Sequence, residues 1–150
     1  MGQPFDMSSI PLHLWLLFPL LLWASIRDLK TKQIPNAIPL SISLVGLLHF
    51  SPLFSIAGLL CTGLPYWIGA IGSDGKIGGG DIKLMAACGF VFGPIYGTLQ
   101  SLFGLGFVLL FAITIAFRHG FHSAKNTAIP LAPFLSAGGV AVVLLAYLAQ

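Results

Sequence analysis

The chain has 150 residues, of which 57% are hydrophobic and only 7% charged, with no glutamate and a formal net charge of +3. That is too little charge to cover a soluble domain of this length, so a soluble enzyme and a separate aqueous domain are both excluded. The basic balance does not point to nucleic acid either. Lys and Arg cluster at the ends of apolar runs, where such residues set membrane orientation.

Six apolar segments are predicted as helices, since an unpaired backbone is not tolerated against lipid. The first covers residues 10–26 and is followed by Arg27, Asp28, Lys30 and Lys32. The stretch before it holds Asp6 and lacks the cations of a secretory leader, so this segment is expected to be a retained span. The second covers residues 37–50, with Pro35 barring helix before it and Asn36 placed to cap its start. The third, residues 53–71, leads into a turn-forming string, Ser73-Asp74-Gly75-Lys76, and then into Gly78-Gly79-Gly80-Asp81. The fourth is expected over 82–95, a turn at Tyr96–Gly97, and the fifth over 98–117. Arg118, His119, His122 and Lys125 fill the next loop, and the sixth segment covers 129–148. A full crossing takes about 20 residues, so the second and fourth segments are short for it.

With six spans the connections alternate sides, and all seven Lys and Arg residues then share one face. The positive-inside rule makes that face cytoplasmic and puts both termini outside. The expected fold class is therefore all-α: one domain, residues 1–150, a bundle of six transmembrane helices in the inner (plasma) membrane. Cys61 and Cys88 lie inside apolar runs without metal-ligand spacing and read as buried hydrophobes. Trp15, Trp23, Tyr66 and Trp67 read as packing or interface residues. No metal site and no cofactor are expected.

Candidate chemistry rests on four acids. Asp6 lies in the outer tail and Asp74 in an exposed turn. Asp28 and Asp81 each abut an apolar span on the cytoplasmic side. Alone, Asp28 reads as a surface ion pair with neighbouring cations, and Asp81 as a helix N-cap. Gly78, Gly79 and Gly80 remove side-chain bulk and would let an extended peptide approach Asp81 closely. The nucleotide-loop alternative fails, because GxxxxGK[ST] is absent and no strand precedes the glycines. Lys83, two residues beyond Asp81 on a helix, is expected to face away from it and to anchor the helix among lipid headgroups.

Three motifs in order carry a family resemblance over most of the chain. Asp28 is followed by Ile34-Pro35-Asn36; Gly78-Gly79-Gly80-Asp81 is followed by Ile82-Lys83-Leu84; and Ile129-Pro130-Leu131-Ala132-Pro133-Phe134 opens the last span. The chain resembles the type IV prepilin and preflagellin peptidases, the GxGD-type membrane aspartic proteases. The resemblance implies that Asp28 and Asp81 form a catalytic dyad; Gly78, Gly79 and Gly80, and secondarily Lys83, are the candidates for shaping the approach to it. It implies a prepilin-like membrane protein as substrate, cleaved after a basic leader at the cytoplasmic face. It also implies the short, peptidase-only form without a methyltransferase domain. The alternative from another class is a transporter or channel subunit passing ions or protons along the membrane acids. Such a path calls for ionisable residues continuing through the bilayer, and the outer halves offer only Ser, Thr and isolated His.

Overall fold

A computed structural model describes residues 12–48, 50–73, 77–119 and 129–148, and all regular structure among them is helical. The helices are α1 (Leu12–Thr31), α2 (Ala37–Leu47), α3 (Pro52–Gly72), α4 (Gly79–His119) and α5 (Ala132–Leu148). Asp6, Asp74, Lys76, His122 and Lys125 lie outside the described residues.

Helix α1 runs past the expected boundary at residue 26 and carries Asp28 in its last turns. The apolar edge marks where lipid ends, whereas Arg, Leu and Lys sustain a helix beyond it. Lys30 in the final turn complements the carbonyl end of the helix dipole. The helix stops where Lys32 turns left-handed, φ 51°, its N–H closing the last bond to the Asp28 carbonyl at 2.8 Å. Helix α3 starts on Pro52, where a missing N–H costs nothing.

The run α4 is two arms. Gly93 adopts φ 75° and ψ −178°, a region essentially confined to glycine, and Pro94 follows it. A Cβ on Gly97 would stand 3.0 Å from the Gly89 Cα. In a straight helix eight residues separate those positions by about 12 Å. The chain therefore folds back on itself, with residues 79–92 antiparallel to residues 94–119. The expected turn at Tyr96–Gly97 lies instead at Gly93–Pro94, because the glycine that supplies the positive φ is the one beside proline.

Helix α3 packs against the first arm through paired glycines. A Cβ on Gly58 would collide with the Gly89 carbonyl oxygen, and one on Gly89 with the Thr62 hydroxyl. Thr62 Oγ1 lies 2.8 Å from the Met85 carbonyl, a cross-helix hydrogen bond at this close crossing. Helix α5 meets the second arm similarly, Gly138 against the Gln100 backbone and Gly104 against Leu135.

The core gathers Leu17, Leu21 and Ala24 of α1, Ile38 and Ile42 of α2, Leu84, Cys88 and Phe92 of α4, and Ala132 of α5. Ser25, Asp28, Ser55, Thr62 and Gln100 are buried as well. Outside, Leu53 and Phe117 are each 86% exposed, and Leu, Ile and Phe dominate the surface. An exterior so dominated by large apolar side chains is the reverse of a soluble domain's. Helix α3 (21 residues) and the folded-back run 79–118 each hold an 18-residue stretch apolar enough to cross a membrane, with mean hydropathies of 1.5 and 2.1. Cys88 is buried, as expected, whereas Cys61 is exposed on the apolar surface.

Candidate active site

Four segments meet at one end of the bundle: the last turn of α1, the 32–36 connection, the first turn of α4 and the start of α5. Asp28, on α1, is 6% exposed. Its expected ion pairing with neighbouring cations gives way to a different partner, the Ala132 N–H, which donates to Oδ2 at 2.9 Å. Ala132 opens α5, and the first N–H groups of a helix have no partner within it. A buried carboxylate close to a helix start gains both a charge-assisted hydrogen bond and the favourable end of the dipole. Just below, Ser136 of α5 lies 2.8 Å from Ser25 and 3.1 Å from the Leu21 carbonyl of α1, which fixes the two helices beside Asp28.

Asp81 does not take the N-cap position. Helix α4 begins at Gly79, and the Asp81 N–H bonds to the Gly78 carbonyl at 3.0 Å, so Asp81 falls in the first turn. Three glycines present no capping side chain, and the acid three residues on reaches back to Gly78 instead, as in one half of a capping box. Its Oδ1 is buried with no hydrogen-bond partner. Burial, and after it the Asp28 charge, push its pKa up to about 6 against the opposing Gly78 backbone bond.

The two carboxylates face one cavity of about 270 Å³, lined by Asp28, Lys32, Gln33, Ile34, Gly78, Gly79, Gly80 and Asp81. A water occupies about 30 Å³ of liquid volume, so this space accommodates several waters or a short extended peptide segment. The glycines have distinct roles. A Cβ on Gly80 would stand 2.9 Å from the Ile34 Cβ, so Gly80 admits the 32–36 segment; one on Gly78 would meet Asp81 Oδ2 at 3.1 Å. Only Gly79 of the three opens onto free space, so the expected approach route narrows to that residue. Gly80→Ala is accordingly expected to destabilise the protein by roughly 1–3 kcal/mol, as overpacking does. Gly79→Ala should stay within about 0.5 kcal/mol. Thermal unfolding in detergent checks both.

Lys83 is not among the residues lining the cavity. Rather than lying free among headgroups, its Nζ donates to Asn36 Oδ1 at 2.8 Å. Asn36 stands at the N-cap of α2, but its side chain makes no capping bond. Sequence reasoning missed this cross-loop bond, the Ala132 donor, and the cavity residues Lys32, Gln33 and Ile34. The Ala132 donor had a signal, since a helix opening between Pro130 and Pro133 leaves its first N–H without a local partner. His119 ends α4.

An all-helical fold with an apolar exterior and two acids at one mouth defines a class of helical proteins with a paired-carboxylate site. Residues 15–121 match the type IV leader peptidase family, and the chain belongs to that family. It is also 32% identical over 113 residues to a preflagellin peptidase of Methanococcus voltae, a match covering 65% of this chain and 47% of the relative. The chain thus aligns with about half the length of that relative. No solved structure matches it significantly.

Proposed function

We propose that the chain is a membrane aspartic endopeptidase that removes the basic leader from type IV pilin-like precursors. In this reading it is a single-domain bundle of six spans in the inner membrane, with both termini outside and the site at the cytoplasmic face. All described Lys and Arg residues lie at helix ends or in the 32–36 connection, in keeping with that orientation. The observation that carries the proposal is the shared cavity of Asp28 and Asp81, with Asp28 among the causes of the raised Asp81 pKa.

Two like charges in one site disfavour double ionisation, so the pair holds one proton. Burial and the partnerless Oδ1 favour the proton on Asp81, which leaves Asp28, accepting from the Ala132 N–H, as the base. Asp28 then draws a proton from a water, and the water oxygen attacks the scissile carbonyl. Asp81 donates its proton to the developing oxyanion. On collapse of the tetrahedral intermediate the C–N bond breaks, the leaving amine takes the proton held by Asp28, and the hydroxyl returns its proton to Asp81. A substrate whose apolar helix lies in lipid brings its leader junction to this rim already oriented, which favours reaction by proximity.

The proposal is tested with purified protein in lipid and a synthetic prepilin, identifying the new N-terminus by mass spectrometry. One cut after the leader is expected; an intact substrate would refute it. The protonation scheme also has a sign. The required Asp81 proton is lost as pH rises through about 6. On that side kcat/KM, which reports the free enzyme, should fall about tenfold per pH unit. A pH series of kcat/KM checks this limb.

A further inference from the structure

We propose that Lys83 and Asn36 form a clamp that sets the width of the cleft between the two aspartates, making Lys83 a positioning residue for the cleavage proposed above, on which this inference rests. The bond joins residues 47 positions apart and links the 32–36 connection to the start of α4 at 2.8 Å. Each partner acts against its local preference. An asparagine at a helix start ordinarily accepts from the first-turn N–H groups, and Asn36 does not. A lysine near a helix N-terminus opposes the helix dipole, and an exposed lysine beside an apolar span ordinarily turns to headgroup and solvent. Both side chains are diverted into one contact.

That contact spans the cleft. One wall of the cavity is Lys32, Gln33 and Ile34; the other is Gly78, Gly79 and Gly80, with Asp81 next in the chain. Ile34 also lies close against Gly80 across the cleft, an approach without the directionality of a hydrogen bond. Asn36 continues from the first wall and Lys83 from the second, so their bond fixes how far Asp81 stands from Asp28. Because Lys83 does not line the cavity, its loss acts on the chemical step more than on substrate contact.

The experiment compares wild type, Lys83→Met, Asn36→Leu, the double variant, Lys83→Arg and Asn36→Asp in lipid with a synthetic prepilin. Amide hydrogen exchange of residues 32–36 is followed without substrate. Lys83→Met is expected to lower kcat about 10- to 100-fold, the scale of an ångström-sized misplacement, with KM little changed. Exchange across 32–36 should rise in both Lys83→Met and Asn36→Leu. The double variant should be no worse than either single one, since the two residues form a single interaction. Lys83→Arg and Asn36→Asp, which keep a donor and an acceptor, should restore most of kcat. Wild-type kcat in Lys83→Met, unchanged exchange, or losses that multiply in the double variant would each overturn the clamp while the peptidase reading stands. Absence of cleavage by the wild type would instead overturn the peptidase reading and the clamp's catalytic role with it, even if exchange responds.

Discussion

Asp28→Asn and Asp81→Asn are each expected to lower leader cleavage by about 10⁴-fold or more, equivalent to roughly 5.5 kcal/mol of barrier. The reasons differ. Asp28→Asn keeps a carbonyl oxygen for the Ala132 N–H, so the α1–α5 junction survives. What disappears is the basic lone pair that takes the proton from water. Asp81→Asn keeps the shape of the protonated acid but not its transferable proton. Burial already disfavours the Asp81 charge, so the neutral amide should fold at least as well as wild type. Full membrane levels with no cleavage is therefore the expected outcome for both, read by immunoblot and by leader removal on co-expression with a prepilin. Retained cleavage in either variant would remove that residue from the chemistry.

The largest expected effect on folding is at Gly58. An added Cβ there meets the Gly89 backbone oxygen and the Gly93 backbone, atoms that cannot move aside without parting α3 from α4. Helix propensity alone would reward Gly→Ala by about 1 kcal/mol. Steric conflict with a neighbouring backbone outweighs that, and Gly58→Ala is expected to cost about 3 kcal/mol, at the upper end of overpacking effects. Gly106 provides the control: a Cβ there meets nothing within 4 Å, so Gly106→Ala should be neutral or slightly stabilising. Thermal unfolding of both variants in the same detergent measures the difference, and equal midpoints would contradict the crossing.

Much of this was legible in the sequence because lipid and charge write simple patterns. Helix α3 was located to within a residue at each end, since Pro52 and the Gly72-Ser73 step mark its limits. Helix α1 ran further than hydropathy indicated, because the signal that ends an apolar segment is not the one that ends a helix. The reversal at Gly93 was misplaced by a few residues, since Gly93-Pro94 and Gly97 both read as punctuation and only backbone geometry separates them. At the site, the acids and glycines were visible as motifs. Their partners were not, because Ala132 acts through a backbone N–H and Asn36 through a contact 47 residues distant. Long-range polar pairing carries no local periodicity to read.

The coupling of the two carboxylates is the claim most open to direct measurement. The chain holds four aspartates and no glutamate, so protein labelled with carbon-13 at the Asp side-chain carboxyl gives few titrating signals, assignable with Asn variants. In wild type, Asp81 should titrate near 6. In Asp28→Asn, which removes one of the two causes that raise it, the Asp81 midpoint should fall, yet stay above its ordinary value of 3.8 because burial remains. An Asp81 titration indifferent to the charge on Asp28 would mean that the two acids do not share a site, and the hydrolytic mechanism would fail.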